Sequence, residues 1–186
     1  MHRLYLDEEI EYDGSQLSSL WIYRRTGCRG DAIVSFCGPC RVEPEKGMVD
    51  LEDVLAGEGI FSPSMLHFIA EFFETDLEKG VLRQRTLIHI IREAIYNTAG
   101  KWVERDGDDL YWQGRKLSVS IATASPVSTL IHTGLNISAE GTPVPAAALS
   151  EVGIEDIPAF AAAIMEAFAR EMEGIKEARC KVKWVP

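Results

Sequence analysis

The sequence predicts an α+β fold, with helices packed on a mixed, largely antiparallel sheet. Strand-like runs cluster instead of alternating one by one with helices, so the βαβ rhythm of a parallel sheet is missing. Three stretches carry apolar residues at helical spacing, which marks faces to be buried against a sheet. A chain of 186 residues that is 46% hydrophobic is long enough to bury a core and is expected to form a single domain, residues 1–186.

In chain order, RLYLD (3–7) and EIEYD (9–13) alternate and turn at Asp13-Gly14, reading as strand, turn and strand. SQLSSLWIYRR (15–25) reads as a short helix with Leu17, Leu20 and Trp21 inward. DAIVSF (31–36) reads as a buried strand bounded by Gly30 and Gly38-Pro39, followed by loop to Gly59 with a short acidic segment, VDLEDVL. Ser62-Pro63 pairs a capping hydroxyl with a first-turn proline and predicts a helix with Met65, Ile69, Phe72 and Phe73 on one face. Thr75-x-x-Glu78 is a capping-box pattern, opening a helix with Leu77, Val81, Ile88, Ile91 and Ile95 in a stripe and a stop at Gly100. Residues 102–138 are strand-rich: WVERD, DLYWQ, then two long alternating runs. A last helix after Pro158 turns Phe160, Ile164, Met165, Phe168 and Met172 inward and ends near Gly174, before a closing KVKWV strand.

The net charge of −10 argues against nonspecific binding to nucleic acid or an anionic membrane. The first residues lack the apolar run of a signal peptide, and no uncharged stretch reaches the roughly 18–20 residues that span a bilayer. A cytoplasmic location is expected, and there Cys28, Cys37, Cys40 and Cys180 are expected as thiols.

The segment 114–138 carries the clearest sign of a site. Alternation puts Leu117, Val119 and Ile121 on one face of its first run, and Lys116, Ser118 and Ser120 on the other. In the second run, His132, Gly134 and Asn136 oppose Ile131, Leu135 and Ile137. If the two polar sets share a face, it holds one ammonium among small groups, which suits a ligand floor better than a solvated face rich in long charged residues. Asp106, Asp108 and Asp109 lie in RDGDD, which by itself reads as a turn. His67 and His89 read as helix packing or helix surface.

Cys37-Gly38-Pro39-Cys40 spells a dithiol motif. The residues after it show no helical periodicity to activate a thiolate, and no further pair of ligands at telling spacing completes a zinc site. No metal site is expected, and Gly38-Pro39 reads as a tight turn permitting close approach of a ligand.

KWVERDGDDLYWQGRKLSVSIATAS resembles the stretch of biotin-protein ligases that reads roughly K-W-P-N-D, a short strand, then G-K-K-L. IHTGLNIS is similar to the G-x-x-x-N strand that follows, and GDAIVSFCGPCRVEPEKGMVDLEDV resembles a segment of lipoate-forming octanoyltransferases. As a whole the chain resembles an uncharacterised, mainly archaeal family with a biotin/lipoate-protein-ligase-like fold related to class II aminoacyl-tRNA synthetases. The resemblance implies that Lys116 contacts an acyl carboxylate or its activated form. It also places Asp109, Gly134 and Asn136 at the substrate and implies ATP with Mg²⁺, with a homodimer suggested by similar folds. Two pieces of the known patterns are absent from the sequence: the G-R-G-R-x-G-R phosphate loop, whose nearest counterpart is TGCRGD, and a cysteine nucleophile within GTPVPAAALSEVGI. Acyl or acyl-adenylate transfer with a small carboxylate-bearing molecule therefore stands beside noncatalytic small-molecule binding, with a CxxC thiol or zinc protein third.

Overall fold

The computed structural model describes residues 1–142 and 145–185. Its elements are β1 (His2–Leu6), α1 (Trp21–Thr26), β2 (Ala32–Val42), α2 (Leu51–Ala56), β3 (Ile60–Phe72), α3 (Leu77–Ala99), β4 (Glu104–Asp106), β5 (Asp109–Trp112), β6 (Arg115–Lys116), β7 (Ser118–Ala124), β8 (Thr129–Ser138), a 3₁₀ turn (Leu149–Val152) and α4 (Ile157–Cys180). A five-stranded sheet runs β1-β2-β3-β8-β7, and β4-β5-β6 form a three-stranded one. Only β1–β2 is parallel among the pairs of the main sheet. The α+β architecture with a largely antiparallel sheet is thus observed.

Strand alternation divides the main sheet into two apolar faces. Ile33, Leu66, Phe68, Phe72, Ile131 and Leu135 point to the side covered by α3 and α4, where they meet Leu87, Ile91, Ile164 and Phe168. Val34, Phe36, Met65 and Ile69 point the other way, into a second cluster with Tyr12, Ile22 and Cys40. Because β2 and β3 are buried on both sides, their sequences read as continuous apolar runs.

That explains the main departure from expectation: residues 60–72 form the central strand β3, not a helix. An unbroken run such as Met65–Ala70 satisfies helical spacing and strand burial alike. Pro63 is tolerated because the register slips around it against both neighbours, between Gly38 and Cys40 on β2 and between Asn136 and Ser138 on β8.

The acidic segment forms the short helix α2, capped by Asp50, whose carboxylate accepts from the Glu52 N–H. The cap of α3 is Asp76, which accepts from the Lys79 N–H, not Thr75. Leu77 is half exposed, and the buried stripe of α3 begins at Gly80. In α1 the inward residue is Ile22, with Leu20 and Trp21 only partly covered. α4 runs through Gly174 to Cys180, since one glycine in an exposed helix costs only about 1 kcal/mol. Residues 181–185 form no strand.

Residues 9–13 do not pair with β1. Ile10 N–H donates to the Cys37 carbonyl (3.0 Å), Tyr12 N–H to that of Pro39 (2.9 Å), and Arg41 N–H to that of Tyr12 (2.8 Å). This segment lies so close across β2 that a Cβ on Gly38 would stand 2.0 Å from the Ile10 carbonyl oxygen. At the other end of the sheet, the buried Glu71 carboxylate accepts from the Leu20 N–H and the Ser128 hydroxyl, both at 2.8 Å. No helix among the described residues is long and apolar enough to cross a membrane.

Candidate functional site

A cavity of about 390 Å³ opens where β3 begins and β8 ends, along the edge strand β7. Lys116, Asp109, Ser118, Ser120, His132 and Asn136 all line it. Its far wall comes from residues 47–62, with α2 among them. Of the residues expected at a site, Gly38, Pro39 and Gly134 do not line it.

Lys116 is held on both sides. It pairs with Tyr111 in β5, its N–H donates to the Pro145 carbonyl (3.3 Å), and its own carbonyl accepts from the Ala147 N–H (2.9 Å). Leu117 then passes the chain from the small sheet into the main one, which makes Lys116 a junction residue instead of part of a long hairpin. Its ammonium reaches the Asp109 carboxylate at 2.9 Å. Burial holds the Asp109 carboxyl above its ordinary range, with the bond to Lys116 pulling the other way. Asn136 Nδ2 donates to the Lys116 carbonyl (3.3 Å), fixing the same junction from β8.

The expected polar face requires correction. The turn at 125–128 sets Ser118 opposite Leu135 and Ser120 opposite Thr133, so Val119 and Ile121 share a face with Gly134 and His132. A shift of one residue exchanges every side chain between faces. The two serines reach the cavity from its edge, and their hydroxyls are engaged in the fold. Ser118 Oγ accepts from the buried Leu110 N–H (2.8 Å). Ser120 Oγ accepts from Gln84 Nε2 (3.0 Å) and lies within hydrogen-bond distance of the His132 carbonyl and the Thr133 hydroxyl. Nor does Gly134 leave open space, because Met65 Cε would be 2.9 Å from a Cβ there. The close approach that Gly38 and Pro39 permit is to the segment Ile10–Tyr12, not to a ligand.

Beneath the cavity lies an aromatic stack that sequence reasoning missed. The His132 ring lies 3.6 Å from that of Tyr12 and nearly parallel to it, and His67 lies 5.0 Å from Phe36. His67 Nδ1 bonds His132 Nε2 (3.1 Å), and His67 Nε2 bonds the Gly38 carbonyl (3.2 Å). Burial pushes the His67 imidazole down to about 4 and His132 well below its usual value, so both are neutral at pH 7. A carbonyl only accepts, which requires His67 Nε2–H to donate and leaves Nδ1 as an acceptor. His132 must then donate through Nε2–H, and its Nδ1 carries a bare lone pair.

The cavity is acidic. Asp50, Asp53, Glu58, Asp108 and Asp109 line it against one cation, Lys116. Asp108 is engaged by Gln84 Nε2 (2.7 Å) and Arg85 (3.2 Å). Burial and the neighbouring Asp50 carboxylate both raise Asp53. The acidic run VDLEDVL was the available signal for this wall. No sequence signal placed it against Lys116.

The dithiol motif sits inside β2, with Cys37 packed toward the helices and Cys40 in the opposite cluster. Tyr5 Oη contacts Cys37 Sγ (3.3 Å), and burial pushes the Cys40 thiol up to about 12. Two thiols on opposite sides of a strand, one of them strongly disfavoured as thiolate, do not form a redox pair.

Known structures share this architecture. A protein of unknown function from Pyrococcus horikoshi is 41% identical and superposes with a TM-score of 0.93, covering 100% of this chain and 99% of that one. An uncharacterized protein of Methanocaldococcus jannaschii is 34% identical over 182 residues, 95% of this chain and 81% of the relative. Biotin protein ligase from Aquifex aeolicus matches with a TM-score of 0.60 at 14% identity, over 95% of this chain and 71% of the ligase. The scaffold is therefore that of biotin and lipoate ligase catalytic domains. The family model described as a domain of unknown function, DUF366, matches residues 1–183, and the chain belongs to that family.

Proposed function

We propose that the cavity binds a small carboxylate-bearing molecule of acyl type, with Lys116 as its counter-charge, and that acyl transfer is the chemistry it supports. The observation that carries this reading is Lys116 itself. It is the one cation lining the cavity among the described residues, and its backbone is fixed from both sides. A fixed ammonium on a partly dry wall holds a carboxylate, or the oxyanion that develops when an acyl carbon is attacked. Asp109 keeps the ammonium aimed in the free protein, and a ligand carboxylate joins the pair from the open side.

ATP with Mg²⁺ fits this lining poorly. Five carboxylates against one ammonium give no cationic cradle for a triphosphate. Noncatalytic binding is the second reading, favoured by the engagement of the Ser118 and Ser120 hydroxyls within the fold.

A thermal-shift series with biotin, lipoate, octanoate, their coenzyme A esters and ATP, with and without Mg²⁺, tests the reading. Stabilisation by an acid or ester that disappears in Lys116→Ala supports it, and an unchanged shift in that variant removes Lys116 from the site. Transfer of the acyl group from a thioester to an added amine or thiol acceptor, with the free coenzyme A thiol released, identifies a transferase. Pyrophosphate released from ATP in the presence of an acid would instead mean adenylation.

A further inference from the structure

We infer that the ligand of this cavity carries a protonated amine as well as a carboxylate, the amine facing Asp50, Asp53 and Glu58 and the carboxylate facing Lys116. The inference rests on the reading that Lys116 holds a carboxylate, and adds the ligand's second pole.

Two independent features lead to it. The first is charge. Of the five lining carboxylates, Asp109 is neutralised by Lys116 and Asp108 by Arg85. Asp50, Asp53 and Glu58 lie on the opposite wall, and among the described residues none makes an ion pair with a Lys, Arg or His. Asp50 spends one oxygen on the α2 cap. Asp53 stands among Asp50, Glu52 and Glu58 with Lys116 as its one attractive neighbour among the described residues, which is how a wall awaiting a cation is charged.

The second is His132. Its side chain is 3% exposed and lines the cavity, and the chain Gly38 carbonyl–His67–His132 leaves Nδ1 as a lone pair with no hydrogen-bond partner among the described residues. Nδ1 is not sealed from solvent, so water can donate to it in the free protein, and a ligand that displaces this water keeps the bond only if it brings a donor of its own. An alkyl carboxylate offers no donor. A divalent cation would need a cluster of ligands that the described residues do not form. An ammonium supplies up to three N–H donors and the missing positive charge together. The pocket thus carries one positive and one negative pole, the complement of a zwitterion.

Calorimetry at pH 7 on the full chain tests this with 4-aminobutanoate and 6-aminohexanoate, each beside the alkanoic acid and the alkylamine of equal length. At least one amino acid is expected to bind about tenfold or more tighter than both of its singly charged counterparts, the scale of one charge-assisted hydrogen bond. That preference over the acid is expected to vanish in Asp53→Asn/Glu58→Gln, whose exposed or half-exposed positions leave the melting temperature as a control on folding. An alkanoic acid that binds as tightly as its amino acid overturns the amine and leaves the Lys116 reading standing. An alkylamine that binds as tightly as the amino acid, and equally well to Lys116→Ala, overturns the Lys116 reading instead. If no member of either series binds, the zwitterion is wrong, and the Lys116 reading is decided by the biotin, lipoate and octanoate series.

Discussion

The two faces of the five-stranded sheet are held together by different means. On one, Phe68, Phe72, Leu66 and Leu135 meet the apolar stripes of two long helices, and shape and buried area supply the stability. On the other there is no long helix. Residues 10–12 instead pair with β2 in parallel, alongside Cys37–Arg41, and a ladder of rings, Phe36, His67, His132 and Tyr12, fills the space beside the cavity. A face packed by helices tolerates small shifts. One built from hydrogen-bonded imidazoles and a paired backbone segment holds its rings by directional bonds, and it is this side that carries the cavity.

The comparison can be broken most severely from the helix side. Phe68→Ala is expected to cost about 3–5 kcal/mol in urea unfolding, because the fully buried ring has helices on one side and strands on the other. A loss under about 1 kcal/mol would mean that this face is not the main core.

The ring side is expected to show itself through pH. His67 titrates near 6.5 when unfolded and at about 4 when folded. The unfolded chain therefore binds the extra proton between those values. The stability from keeping the ring neutral is complete above pH 6.5 and is lost as the pH falls toward 4, to a total on the order of 3 kcal/mol. Unfolding measured across that window should show a flatter acid limb in His67→Phe than in the wild type. Parallel limbs would show that burial of this imidazole is not linked to folding.

Gly38→Ala tests the pairing of residues 10–12 with β2, since the added methyl meets the Ile10 carbonyl. A cost of about 1–3 kcal/mol is expected, with faster hydrogen exchange at Ile10 and Tyr12 and unchanged exchange in α3. Lys116→Ala should have the smallest effect on stability. Its pair with Asp109 is about one-third exposed and contributes under about 1 kcal/mol, so a loss of ligand response with little change in melting temperature is expected.

Legibility in the sequence followed the same division. α3 could be read from its stripe and its stop at Gly100, and α4 from the apolar positions after Pro158, because each buries one face and exposes the other. β3 could not, because a strand buried on both faces has no alternation left to read. Reading it as a helix hides His67, and its partner His132 then falls on the right strand but among the wrong companions. That second error comes from the turn at 125–128, whose geometry decides which of two registers forms and leaves no periodic trace. Lys116 and Asp109 are joined through the family resemblance alone, and the acidic wall opposite them comes from a segment some 50 residues away along the chain.

Glu71 has a mechanical consequence. It ties the Leu20 loop and the 125–128 turn to one end of β3, while the cavity spans the strand's other half, from Ile60 to Met65, and reaches back along β8 to His132, opposite Ile69. Clamped there, the strands under the cavity form its fixed floor, and the 47–62 wall, whose helix α2 buries no residue, is the more lightly held side. Adjustment to a ligand then falls on that wall, and the clamped strands serve as the frame it is set against.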